Sequence, residues 1–164
     1  MPSALTMDDL QKKLDDLTRR VQALEDELAI HRVIVRYGLA VDIGDADGAA
    51  NTFTENTVYD VDVGVMRGRD GVREMVRSAR HQSMVGRCAH QIGPAVVEIH
   101  GDRAVATGYS RVYLHKDGGI QVYRVSLNHW QLARRDGEWQ IAHRTTRLLG
   151  HAEARRVFAD ALKA

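Results

Sequence analysis

The stretch 87-RCAHQIGPAVVEIHGDRAVATGY-109 reads as two strands joined by a tight turn. Small and β-branched residues dominate on both sides of 100-HGD-102, and a Gly-Asp pair between such runs is hairpin chemistry. The same grammar repeats downstream at 116-KDGG-119 and 135-RDGE-138. Strands are therefore expected over 89–99, 103–115, 119–134 and 138–148, forming an antiparallel meander. One residue fits this pattern poorly. His90 places an ionisable ring where packing alone favours valine.

Upstream of the meander, 57-TVYDVDV-63 alternates in polarity and is rich in β-branched residues, so a first strand is expected there. Tyr59, Val61 and Val63 share one side of it. Between this strand and His90, 64-GVMRGRDG-71 reads as a loop, with Asp70 capping a helix that runs to about Met84. Before the strand, 48-GAANTFTENT-57 resembles a short helix followed by a turn. Further upstream, Ile30, Ile34, Tyr37 and Val41 form the buried stripe of a helix ending near 43-IGDADG-48.

That helix begins much earlier. Leu10, Leu14, Leu17, Val21, Leu24 and Leu28 alternate spacings of four and three, a heptad seam of about three repeats. Two readings follow, one an amphipathic helix lying on its own domain, the other a short coiled coil between subunits. Helices followed by a meander make an α+β chain. Its expected parts are a heptad extension (1–25), one domain (26–150) and a helical or frayed tail (151–164).

The chain has 164 residues, 44% of them apolar and 27% charged, with a formal net charge of +1. That length suits one domain, and that charge gives no field favouring nucleic acid or an anionic membrane. A lone cysteine, Cys88, excludes an internal disulfide and suits a reducing cytoplasm. The first 17 residues lack the apolar run of a secretory signal, and no stretch approaches the roughly 20 apolar residues of a membrane span. A soluble cytoplasmic protein is the expectation.

Two residues stand out chemically. Asp42 follows the buried stripe at a helix C-terminus, where the macrodipole disfavours a carboxylate. It reads either as a solvated turn residue or as an acid held at a cavity. His90 reads as a satisfied core histidine, or as a base if a carboxylate holds one ring nitrogen protonated. Eight histidines raise a metal site from His81, His90 and Asp42, but His-x-His, Cys-x-x-Cys and His-Glu-x-x-His are all absent. Nucleophile-elbow, dinucleotide and phosphate-loop motifs are absent too, so a site without cofactor or metal is expected. In 138-EWQIAHRTTRLL-149, Trp139 and Ile141 share an expected core face. Arg144 reads either as a charge at a cavity mouth or as part of a polar sheet face or subunit contact, while strand alternation could turn His143 inward instead.

The helix ending in 37-YGLAVDIGDADGAANTFTENTVYD-60, the 68-GRDGV-72 turn, the histidine before 93-GPAVVEIHGDRA-104 and the closing 135-RDGEWQIAHR-144 together resemble the SnoaL-like branch of the nuclear transport factor two-like superfamily. The resemblance spans about residues 26–150. It implies a curved antiparallel sheet wrapped around about three helices as a cone, with a deep apolar pocket. Cofactor-free members such as scytalone dehydratase, hexachlorocyclohexane dehydrochlorinase and bile-acid 7α-dehydratase use a His–Asp pair to abstract a proton while a leaving group departs. Carried over, Asp42 and His90 match that pair, Tyr37 matches a tyrosine five residues before the aspartate, and Arg144 is the candidate cavity arginine. Tyr59 and His143 are candidate substrate contacts.

The implied activity is a lyase or dehydratase acting on a small apolar or aromatic molecule. Isomerisation or cyclisation of a polyketide- or steroid-like substrate, and ligand binding without catalysis, remain as alternatives. Relatives are commonly dimers or trimers, and a homotrimer is favoured. The heptad extension has no counterpart in the family pattern.

Overall fold

The computed structural model describes residues 6–161; the outermost parts of the two expected terminal segments, 1–5 and 162–164, lie outside the described residues. Thr6 opens a 36-residue helix, α1 (Met7–Asp42), through a reciprocal cap. Its hydroxyl accepts from the Asp9 N–H at 3.2 Å, and the Asp9 carboxylate accepts from the Thr6 N–H at 3.1 Å. Ile30, Ile34, Tyr37 and Val41 are buried, as their spacing implies. The six seam residues from Leu10 to Leu28 are 46–61% exposed. The seam therefore does not lie on its own domain, and that expectation is corrected.

Gly44, at φ 75°, takes the left-handed conformation that stops α1. Asp45 then caps α2 (Ala46–Asn51), its carboxylate accepting from the Gly48 N–H at 2.8 Å. Strand β1 (Phe53–Val61) starts four residues earlier than expected. The stretch read as a loop contains a short edge strand, β2 (Gly64–Arg67). Val63 sits between them, exposed, instead of sharing an inward side with Tyr59 and Val61.

The single helix expected up to Met84 is two, α3 (Gly68–Arg77) and α4 (Ala79–Gln82). Ser78 is extended between them and caps the second. Asp70 lies inside the first turn of α3 and pairs with Arg73 at 2.8 Å instead of capping. The meander follows as expected: β3 (Cys88–His100), β4 (Arg103–Lys116), β5 (Gly119–Arg135) and β6 (Glu138–Leu148). A short helix, α5 (Ala154–Ala161), closes the described chain.

The sheet order is β2-β1-β6-β5-β4-β3. It is a mixed, open sheet and not wholly antiparallel, because β1 runs parallel to β6, with Tyr59 beside Arg144. The cause lies at the start of β1. The Thr52 carbonyl accepts from the Ile141 N–H at 2.9 Å, so the chain leaves α2 beside the middle of β6 and runs along with it.

Register shifts in β3, β5 and β6 supply curvature, since each bulge bends its strand. At the β3 shift, Gly108 on β4 faces Pro94, and a β-carbon there would lie 2.8 Å from the Pro94 carbonyl oxygen. Pro94 is tolerated because β3 is an edge strand and the proline sits at its bulge. The concave side holds the core, where Phe53, Val72, Val76, Trp130 and Ile141 pack with the inner stripe of α1.

Candidate active site

The site begins with a missing side chain. Gly38 lies one turn before Asp42, and a β-carbon there would stand 3.1 Å from the His90 carbonyl oxygen and 3.3 Å from the His90 β-carbon. With glycine, α1 settles directly on β3 at His90, and Asp42 is carried against the same residue. Gly38→Ala is accordingly expected to keep the fold, push His90 outward by a few tenths of an ångström, and cost activity on the order of tenfold, since a misplacement of about 1 Å can cost roughly 10²-fold. Kinetics beside a thermal melt would check this.

Asp42 is saturated with donors. Its Oδ1 accepts from His90 Nδ1 at 2.5 Å and from the Cys88 thiol at 3.3 Å. Its Oδ2 accepts from the His90 backbone N–H at 2.7 Å, a donor that the open edge of β3 leaves without a strand partner. Burial pushes the carboxyl pKa up, but the bonds from the His90 ring, the His90 backbone and Cys88 outweigh it and hold it below the ordinary value. The acid is therefore a carboxylate at neutral pH, and His90 Nδ1 must donate to it. That tautomer is assigned from the bonding network. Nε2 is left as the acceptor.

Cys88 does not behave as a nucleophile. Burial, then the Asp42 carboxylate, pushes its thiol up to about 11, so it stays protonated and donates. Asp42, Cys88 and His90 are also the one described group with ligand atoms close enough to hold a metal. Their hydrogen bonds to one another already account for the cluster, and an ion would have to displace both the thiol and ring protons. His81, the other ligand considered from sequence, instead donates from Nε2 to the Val41 carbonyl at 2.7 Å, satisfying an end of α1.

A cavity of about 490 Å³ opens beside this cluster, in the size range of small-molecule sites. His90, Tyr37, Tyr59, Val41, His81 and Val112 line it, with Met66, Met75 and Met84 on the helical side. Arg80, Tyr123 and the largely buried ion pair of Arg124 with Asp62 line it as well. Burial first, and then neighbouring Tyr59, hold the Tyr37 phenol well above its usual range, so it is a hydrogen-bond donor at any working pH. Tyr37 and Tyr59 stand edge to face with ring centres 6.0 Å apart.

Arg144 does point inward, but it does not line the cavity. It lies beneath the tyrosines, 2% exposed, with its guanidinium carbon 4.8 Å from the Tyr37 ring centre, 4.7 Å from Tyr59 and 5.4 Å from Trp130. Nε and Nη2 donate to Asn128 Oδ1 at 3.2 and 2.8 Å, and among the described residues no carboxylate pairs with it. The inward turn comes from a bulge. Ile141 opposes Leu132 and His143 opposes Gln131, so Ala142 is an extra residue that resets the alternation. His143 consequently leaves the cavity side and lies near His129, whose pKa is lowered by burial and then by His143.

Sequence reasoning thus brings Asp42, His90, Tyr37 and Tyr59 to one place and misjudges the depth of Arg144. It misses Asn128 as the guanidinium's partner, the Arg124–Asp62 pair in the cavity lining, and His81 and Cys88 as hydrogen-bond donors to the end of α1. Alternation in 57-TVYDVDV-63 turns Asp62 away from Tyr59 and so gives no signal for it. The others depend on contacts between distant segments.

The SnoaL-like domain model matches residues 22–145, which contain Tyr37, Asp42, Tyr59, Cys88, His90 and Arg144. The chain belongs to the SnoaL-like domain family. Among solved structures, this SnoaL-like chain is similar to an NTF2-like protein with a cystatin-like fold from Novosphingobium aromaticivorans, at 34% identity and TM-score 0.84, covering 93% of this chain and 98% of that one. It is similar to Rv3472, a protein of unknown function from Mycobacterium tuberculosis, at 27% identity and TM-score 0.72, covering 87% and 89%. It shares its fold with a hexachlorocyclohexane dehydrochlorinase of Novosphingobium barchaimii, at 16% identity and TM-score 0.67, covering 79% and 90%. No curated protein sequence matches. No helix among the described residues is long and apolar enough to cross a membrane.

Proposed function

We propose that this SnoaL-like chain is a cofactor-independent lyase of the dehydratase type, acting on a small apolar or aromatic molecule. The observation that carries this is the 2.5 Å contact between His90 Nδ1 and Asp42 beside a cavity of about 490 Å³. A histidine bonded only to backbone would have favoured a ligand-binding module. In the reaction, His90 Nε2 takes a proton from carbon, the released electron pair forms the new double bond, and the C–O bond breaks. Tyr37 or Tyr59 steadies the departing oxygen with a hydrogen bond, and the proton now on His90 Nε2 passes to that oxygen, which leaves as water and returns the imidazole to its neutral form.

Asp42 orients the imidazole and stabilises its cation. Arg144 acts through the tyrosines, offsetting negative charge without touching substrate. Catalysis by such a base supplies about 10²–10⁴-fold, with positioning in the cavity supplying the rest. The protein works as a homotrimer, which covers the outer face of the curved sheet. A panel of hydroxylated aromatic and terpenoid compounds, assayed for water loss, tests the reading. Turnover by the native chain and not by His90→Ala supports it; tight binding without turnover across the panel would point to a carrier.

A further inference from the structure

The exposed seam of α1 is unexplained by the site and has the form of an interface. Leu10, Leu14, Leu17, Val21, Leu24 and Leu28 recur about every 3.5 residues, which is the period of a left-handed coiled coil and not of a helix packed straight on a domain. All six are 46–61% exposed. The apolar row ends at Leu28, because the next seam position holds His31, which lies 3.8 Å from Glu27; Val35, one position further, is 43% exposed. The domain grips the helix from the opposite side. Asp26, diametrically across from the seam, is buried against Arg134 at 2.5 Å and Trp139 at 3.1 Å. The seam thus stays open for its whole length, with the domain turned away from it.

We propose that this seam docks on the same seam of a second copy of the chain, in parallel and in register. Charge selects both the partner and the direction. Arg20 and Glu27 flank the seam on one side, and Glu25 and Arg32 flank it on the other, at the positions that face each other across parallel helices. In-register parallel pairing sets Arg20 against the partner's Glu25 and Glu27 against the partner's Arg32, with Lys13 opposite the neutral Thr18. Antiparallel pairing with matched apolar layers sets Arg20 against its own copy. Among the described residues Arg20, Glu25 and Arg32 have no ion-pair partner, whereas the outward Asp8–Lys12 and Asp16–Arg19 pairs are closed within the helix. A parallel bundle also suits a cyclic assembly, since every helix then lies along one axis. The orientation stands apart from the trimer count proposed above.

The test uses the full chain with Leu17→Cys, oxidised at low concentration and resolved without reductant, and the native chain with Cys88 as control. A 17-to-17 linked pair with no linked native chain is expected. No linkage, or linkage only when Leu17→Cys is mixed with Val21→Cys, overturns the proposal. A second variant, Leu17→Asp with Leu24→Asp, leaves the domain's own contacts intact and should weaken self-association by at least about tenfold, with unchanged circular dichroism per domain once helix lost in α1 is allowed for. Self-association of unchanged strength across a dilution series overturns the proposal. A native mass other than trimer with the 17-to-17 link intact removes only the trimer count.

Discussion

His90→Ala and Asp42→Asn are each expected to lower kcat/KM by about 10²–10⁴-fold, and by similar factors. The histidine variant removes the base. The asparagine variant removes it less directly. The introduced amide still offers one oxygen, which the His90 backbone N–H claims, and its nitrogen then donates to Nδ1. That moves the ring proton to Nε2, so the cavity faces a donor where it needs an acceptor. Stability gives an internal control. Because the folded pKa of Asp42 lies below its unfolded value of about 3.9, its contribution is complete above that pH and lost as pH falls through the lower folded value. Native chain and Asp42→Asn should therefore differ in urea midpoint at neutral pH and converge in acid.

Arg144→Met is expected to separate stability from activity. The guanidinium is buried with only a neutral amide and three aromatic faces for company, and its Nη1 has no partner among the described residues. Replacing a buried charge by an apolar side chain of similar length is often neutral or stabilising. Asn128 keeps its bond from the Thr146 hydroxyl at 2.8 Å. The urea midpoint should hold or rise, while turnover falls about 10²–10³-fold, the usual cost of losing one preorganised electrostatic group. Arg144→Ala should instead lose about 2–5 kcal/mol through the cavity it leaves. Equal activity in Arg144→Met would make the arginine purely structural.

Local signals were legible and pairings between distant segments were not. The stripe Ile30–Val41, the stop at Gly44 and the hairpins at Gly101, Gly118 and Gly137 follow from side-chain period and left-handed turn residues. The start of β1 was hidden because 53-FTEN-56 is short and polar-rich, and β2 because it is four residues long and begins with glycine. The parallel alignment of β1 with β6 depends on where α2 delivers the chain, which no window of sequence contains. The same holds for the Asp42–His90 contact, which joins residues 48 apart; family resemblance, not periodicity, pointed to it. The depth of Arg144 turned on a single bulge at Ala142, invisible to strict alternation.

The central claim is that Asp42 fixes the His90 ring with its base nitrogen toward the cavity, and imidazole ¹⁵N NMR reads this without any substrate. In the native chain at a pH where the ring is neutral, Nδ1 should carry the proton and Nε2 should be bare, and Asp42→Asn should reverse the two. A native His90 protonated at Nε2, or a tautomer unmoved by Asp42→Asn, would contradict it.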